Sequence, residues 1–237
     1  SFELDPSLGK SINFDPFEKL VKISKDAGVD RFIYASSSSV YGVKEEKDVD
    51  ENFSLQPLTD YSKYKAMCED ILLKYNDKKF TCCIVRPATV CGFSERMRLD
   101  VTVNALTYSA LKNGTINVFG GKQVRPNIHI DDMVDLYIFF LNAKKNLVGI
   151  YNAGFENKSI LEIAKNIKKI IPSNINIIKD KNDPRSYRLN SDKLNKIGFF
   201  PRKNIEDAIY ELRNLYNSKK LVDKKNYHSL KWLKKKL

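Results

Sequence analysis

The first third of the chain alternates twice between segments with helical spacing and short runs rich in β-forming residues. Apolar residues recur at helical spacing over residues 14–28 and again over 61–75. Between and after them, residues 31–36 and 81–86 are short apolar runs typical of buried strands. Because consecutive parallel strands need a crossover helix between them, this order predicts a parallel α/β sheet with right-handed crossovers.

The rest of the chain carries the same signals in a less regular order. Asp131 is predicted to cap a helix, and Ser159 with Glu162 forms a capping-box signature. At 237 residues the chain is long enough for one substantial core, arranged as one domain or two lobes. Helices are predicted over 101–111, 131–143, 159–171 and 204–217, and strands over 116–119, 149–154 and 174–178.

Charge and cysteine usage narrow the class of protein. The net charge of +12 is concentrated partly in the last twenty or so residues, without a recognition-helix or RNP-type pattern, so no nucleic-acid partner is predicted. No run approaches the roughly 18 apolar residues that a membrane span requires, so no membrane association is predicted. Four cysteines lack metal-ligand spacing, and we predict reduced thiols in a cytoplasmic protein: Cys68, Cys82, Cys83 and Cys91.

A glycine-rich phosphate-binding sequence is missing from the chain. Neither G-x-G-x-x-G nor G-x-x-G-x-x-G occurs, and the first residues do not resemble a strand. A dinucleotide-binding sheet built from this chain is therefore expected to be N-terminally incomplete, and the fragment by itself is expected to be inactive.

A Tyr-x-x-x-Lys pair is a candidate for acid/base chemistry, because one helical turn places both side chains on the same face. A cation beside the phenol lowers its pKa from about 10, so that a tyrosinate can accept a proton near neutral pH. The spacing alone is weak evidence in a lysine-rich chain. It occurs at Tyr61/Lys65, Tyr75/Lys79, Tyr108/Lys112, Tyr216/Lys220 and Tyr227/Lys231.

The surrounding sequence separates the first pair from the others. Upstream of Tyr61, a predicted strand runs directly into a serine-rich turn, residues 36–42. Downstream, Pro87 follows the next predicted strand. Active sites of open α/β sheets lie at the carboxyl ends of the strands, so a serine hydroxyl there can share a proton with Tyr61.

Four motifs together resemble the NAD-dependent epimerase/dehydratase family of extended short-chain dehydrogenases/reductases. They are S-S-S-S-V-Y-G at 36–42, Y-S-K-Y-K at 61–65, R-P-A-T-V-C-G at 86–92 and R-P-N-I-H-I-D-D-M at 125–133. The resemblance implies a Rossmann-like parallel sheet with a smaller C-terminal α/β lobe that binds a nucleotide-diphosphate sugar. It implies boundaries of 1–97 and 98–237, with residues 125–153 returning to the first domain. It also implies NAD as cofactor and a homodimer of the full-length protein.

The resemblance also implies roles for individual residues. It makes Ser37 and Tyr61 the proton-transfer pair, Lys65 the support of the nicotinamide ribose, and Asn13 the residue that opens the preceding helix and supports that lysine. Cofactor contacts are expected from Tyr61, Lys65, Ser36 and Pro87, and substrate contacts from Ser37, Ser38, Asn104, Arg125 and Arg185.

Three further polar residues of the last motif are interpreted as structural. His129 is expected to be structural, and Asp131 with Asp132 to cap a helix. No further carboxylate or histidine completes a metal site beside the two aspartates, so no metal is predicted.

The two residues after Ser37 narrow the reaction. Family members that dehydrate sugars carry Asp-Glu there, whereas this chain has Ser38 and Ser39. The expectation is therefore 4-epimerisation of a nucleotide-linked hexose, as in UDP-glucose 4-epimerases. The alternatives are a nucleotide-sugar reductase or dehydrogenase on the same fold, and a non-catalytic protein that has lost NAD binding.

Overall fold

The computed structural model describes residues 4–144, 146–178 and 186–235. The α-helices are α1 (Pro6–Asn13), α2 (Phe17–Asp26), α3 (Asp60–Tyr75), α4 (Thr102–Asn113), α5 (Ile130–Asn142), α6 (Ile160–Ile170), α7 (Asp192–Lys196), α8 (Ile205–Asn217) and α9 (Ser229–Leu233). The strands are β1 (Arg31–Ala35), β2 (Thr81–Pro87), β3 (Thr89–Cys91), β4 (Thr115–Phe119), β5 (Val124–His129), β6 (Gly149–Ala153), β7 (Glu156–Ser159) and β8 (Asn174–Ile178).

Strands β1, β2 and β6 form a parallel sheet in that order. Arg31 pairs with Thr81 at the start of the β1–β2 ladder, and Cys83 pairs with Gly149 at the start of the β2–β6 ladder. Helix α3 is the crossover between β1 and β2, so the predicted parallel α/β class is confirmed. Since β6 lies beside β2, residues 149–153 return to this sheet; the division into domains stays a prediction.

The central strand β2 has helices on both faces, which explains the apolar run at residues 82–85. Cys83 and Val85 point into a core that includes residues of α5, whereas Cys82 and Ile84 point into a core with residues of α2 and α3. All four cysteines are buried free thiols. Within the described residues, every helix is too short or too polar to cross a lipid bilayer.

Strands from β3 onward, apart from β6, form two further sheets, one of three strands and one of two. Strand β5 pairs in parallel with β3 and antiparallel with β7, and β4 pairs in parallel with β8. Helices α4, α6 and α8 enclose a separate core with these strands, dominated by isoleucines such as Ile163, Ile167 and Ile209.

Helix caps follow the sequence signals in one case and depart from them in another. The capping box of Ser159 and Glu162 is present at the start of α6, as predicted. The predicted cap of α5 by Asp131 is wrong, because His129 is the N-cap and its Nδ1 accepts from the Asp131 N–H at 3.1 Å. Asp132 is not a cap either. It is buried and accepts the backbone N–H groups of Arg202 (2.8 Å) and Lys203 (3.0 Å).

Candidate active site

A cleft of about 680 Å³ opens at the carboxyl ends of β1 and β2. Its walls are the serine turn after β1, the start of α3, and residues 92–104 between β3 and α4. Most of the predicted site residues lie on it: Ser36, Ser37, Ser38, Tyr61, Pro87, Asn104 and Arg125. Lys65 and Asn13 line a small depression behind Tyr61 instead. Arg185 lies outside the described residues.

Ser37 and Tyr61 meet at the inner end of the cleft. Ser37 caps a 3₁₀ turn (Ser38–Tyr41), and its Oγ accepts the Ser39 N–H at 3.2 Å and lies 2.9 Å from Ser39 Oγ. Burial raises the pKa of the Tyr61 phenol above its ordinary value. A hydrogen bond with Ser37 and the positive charge of Arg98 oppose this effect without cancelling it.

Lys65 lies one helical turn after Tyr61 on α3. Its Nζ is 5.7 Å from the centre of the Tyr61 ring, lies over the Tyr34 ring at 4.8 Å, and donates to the Ala35 carbonyl at 2.6 Å. Burial lowers the pKa of its ammonium. The lowering of the Tyr61 pKa that is expected from Lys65 together with a nicotinamide cation stays a prediction.

Asn13 ends a helix and does not open one, which corrects the sequence interpretation. Asp5 and Pro6 start α1, and the helix stops at Asn13, three residues before the Pro16 that caps α2. The Asn13 side chain donates to the Gly9 carbonyl at 2.9 Å. Asn13 and Lys65 line the same depression. The Lys65 ammonium donates its hydrogen bond to the Ala35 carbonyl there.

Tyr187 is a cleft residue that the sequence did not indicate. Its side chain is buried, and its hydroxyl lies 3.0 Å from Ser38 Oγ. It is also close enough to Tyr61 to influence the pKa of that phenol. No spacing rule links positions 38 and 187, so only the tertiary fold reveals the contact.

Asn104 and the C-terminal segment hold the outer wall of the cleft in place by hydrogen bonds. Asn104 is buried, accepts the Gly92 N–H at 3.0 Å and donates to the Gly92 and Arg98 carbonyls at 3.1 Å. Asp100 accepts the Ser229 N–H at 2.9 Å. The Leu99 N–H donates to the Tyr227 carbonyl at 2.9 Å. The wall is thus built from two distant parts of the chain.

The charge on the cleft suits an anionic ligand. Arg96, Arg98 and Arg125 line it, against one carboxylate among the described lining residues, Asp100, which pairs with Arg98 at 2.8 Å. Guanidinium groups bind phosphate oxygens in a planar fork. Within the described ranges, no group of three or more His, Cys, Asp or Glu side chains is placed to hold a metal ion.

Comparison with known proteins assigns the family. The model of the NAD dependent epimerase/dehydratase family matches residues 4–154, and this chain belongs to that family. The family and its NAD dependence agree with the expectations from the motifs.

Individual relatives carry different activities. The chain is 28% identical over 230 residues to the dTDP-D-glucose 4,6-dehydratase of Mus musculus, covering 90% of this chain and 61% of the relative. It is 32% identical over 162 residues to the uncharacterized UDP-glucose epimerase YtcB of Bacillus subtilis, covering 67% of this chain and 50% of the relative. The chain therefore spans roughly half to two thirds of the length of these curated relatives.

A solved structure supports the fold assignment. The UDP-glucuronic acid 4-epimerase of Bacillus cereus, in complex with UDP-glucuronic acid and NAD, superposes with a TM-score of 0.75 at 27% identity. The match covers 88% of this chain and 68% of that one.

Proposed function

We propose that this chain forms the catalytic part of an NAD-dependent enzyme that epimerises a nucleotide-linked hexose at C4. The observation that carries the proposal is the hydrogen-bonded Ser37–Tyr61 pair on the cleft, with hydroxyl side chains and no carboxylate at the positions next to Ser37. Ser38, Ser39 and Tyr187 occupy the neighbouring positions.

The absence of an acid beside Ser37 favours epimerisation over dehydration. Elimination of water from a sugar needs a group that protonates the leaving hydroxyl and a base at the neighbouring carbon. Among the described residues that line the cleft, Asp100 is the one carboxylate, and Arg98 neutralises it on the outer wall. Glu69 is the nearest acid to the serine turn, but it is buried and paired with Arg86 outside the cleft.

The residues present fit the nicotinamide end of NAD. Lys65 stands beside Tyr61 at the edge of the sheet, and Pro87 brings the end of β2 to the cleft floor. NAD supplies a hydride acceptor and donor when bound. As a phenolate, which requires the positive charges of Lys65 and of a bound nicotinamide to lower its pKa, Tyr61 would accept the proton of the sugar hydroxyl and later return it. Ser37 would hold that oxygen by a second hydrogen bond. Arg96, Arg98 and Arg125 bind the diphosphate.

Product analysis tests the proposal. Protein expressed from the complete reading frame is incubated with NAD and, separately, UDP-glucose, dTDP-glucose and UDP-glucuronic acid, and the products are followed by NMR. We expect a C4 epimer of at least one substrate, with no net formation of NADH. A 4-keto-6-deoxy sugar would show a dehydratase, and stoichiometric NADH would show a dehydrogenase; either result would refute the proposal. Unchanged substrates throughout would favour the non-catalytic alternative.

A further inference from the structure

A buried ion pair lies directly behind the serine turn. Glu69, on α3, and Arg86, at the end of β2, are each about 98% buried, with side-chain exposures of 2% and 3%. Arg86 Nη2 donates to Glu69 Oε2 at 2.6 Å, and Arg86 Nε lies 3.1 Å from both carboxylate oxygens. Withdrawing two charges from water is costly, and such a pair is weak evidence for stability by itself. The role of the pair therefore follows from the groups that it holds in place.

The pair grips both ends of the turn that presents Ser37. At the beginning of the turn, the Ser36 hydroxyl donates to Glu69 Oε1. At its end, the Tyr41 hydroxyl accepts from Arg86 Nη1 at 2.7 Å and donates to Asn152 Oδ1 at 2.8 Å. The Arg86 guanidinium also lies over the Tyr41 ring, 4.9 Å from its centre.

The same pair joins the other two elements that carry the proposed site. Glu69 follows Lys65 by one helical turn and Tyr61 by two, so all three lie along one side of α3. Arg86 immediately precedes Pro87 on the cleft floor. We infer that Glu69, Arg86 and Tyr41 are positioning residues that fix the serine turn against Tyr61. The effect on turnover rests on the proposed function, whereas the effect on the turn does not.

Two tyrosine substitutions separate positioning from general packing. Tyr41→Phe removes the hydroxyl between Arg86 and Asn152 but leaves the ion pair intact. Tyr151→Phe is the matched control, because Tyr151 is also buried in the same core and its hydroxyl donates to the Val148 carbonyl at 3.0 Å, away from the turn. Both are compared with the parent, expressed from the complete reading frame, in steady-state kinetics and in backbone hydrogen exchange.

We expect Tyr41→Phe to lower kcat by about 10- to 100-fold with little change in KM, because small displacements of reacting groups are costly. Exchange in residues 36–42 should accelerate. Tyr151→Phe should change neither. Ser36→Ala, at the other end of the turn, should reproduce the faster exchange.

The exchange measurement decides the inference even if the parent shows no epimerase activity. If the parent is inactive, faster exchange confined to residues 36–42 supports positioning. Unchanged exchange in Tyr41→Phe, or equal losses in Tyr41→Phe and Tyr151→Phe, would overturn it. If Tyr41→Phe accelerates exchange but an active enzyme keeps its kcat, the turn is held for stability only, and the inference fails.

Discussion

Replacement of Tyr61 by phenylalanine separates the chemistry of the site from its architecture. The substitution removes one hydroxyl and keeps the ring against which Lys65 packs. Tyr61 is 39% exposed, and a hydrogen bond of this kind contributes about 1 kcal/mol to stability, so the fold should survive. The loss of a positioned acid/base lowers kcat by roughly 10²- to 10⁴-fold, or about 2.7–5.4 kcal/mol of activation free energy. KM should change little, because the cationic outer part of the cleft is untouched.

Tyr108→Phe is the matched control for this experiment. Tyr108 and Lys112 repeat the spacing on α4, with Lys112 Nζ 5.4 Å from the ring centre, close to the 5.7 Å found for Lys65 and Tyr61. Tyr108, however, lies in a cluster with Asp223 away from the cleft. Its replacement should leave kcat within about twofold of the parent, as is usual away from reacting groups. Equal losses from both substitutions, or a Tyr61→Phe enzyme at nearly full rate, would refute the assignment of the acid/base role.

Two further predictions address the serine turn. Ser37→Ala removes the hydrogen bond that lowers the pKa of Tyr61, so that pKa should rise. The ascending limb of the kcat/KM–pH profile should then move to higher pH. A limb that does not move would contradict the pairing of Ser37 with Tyr61. Gly42→Ala should lower the free energy of unfolding, measured in urea, by more than the roughly 1–3 kcal/mol that backbone strain alone costs. The reason is that φ is +73° and a Cβ would also lie 2.0 Å from the Gln56 carbonyl oxygen. Gly28→Ala, with φ of +80° and no atom within 4 Å, measures the backbone strain alone, and equal losses would disprove the close approach.

The elements with strong periodicity could be predicted from the sequence, and the strands without it could not. Residues 82–85 of strand β2 are apolar because both faces of the strand are covered, and this run makes the strand visible in the sequence. Strand β7 has the sequence Glu-Asn-Lys-Ser, and β5 contains Pro126. Strand β7 has no apolar residue, and in β5 the proline interrupts the alternation of Val124 and Ile128 with polar residues. Their strand conformation comes from pairing with each other, which is a tertiary property.

Local sequence patterns indicate some residues of the site, whereas other residues come together only in the folded chain. Ser37, Tyr61 and Lys65 follow from motif spacing, because one helix and one turn present them. Tyr187 and Glu69 reach the serine turn across 149 and 33 positions, so no local pattern indicates them. The raised pKa of Tyr61 was also beyond prediction, because it depends on how deeply the fold buries the phenol.

Contacts with the C-terminal segment determine when the wall of the cleft can form during folding. Tyr227 donates its hydroxyl to the Glu95 carbonyl at 3.3 Å, and Ser229 bonds to Asp100 across 129 positions. During synthesis these contacts cannot form until residues 227–229 have left the ribosome. The serine turn and β2 need only the first half of the chain, with Asn152 joining soon after. The cleft wall at residues 95–100 is therefore completed only after the residues proposed for proton transfer are already in place.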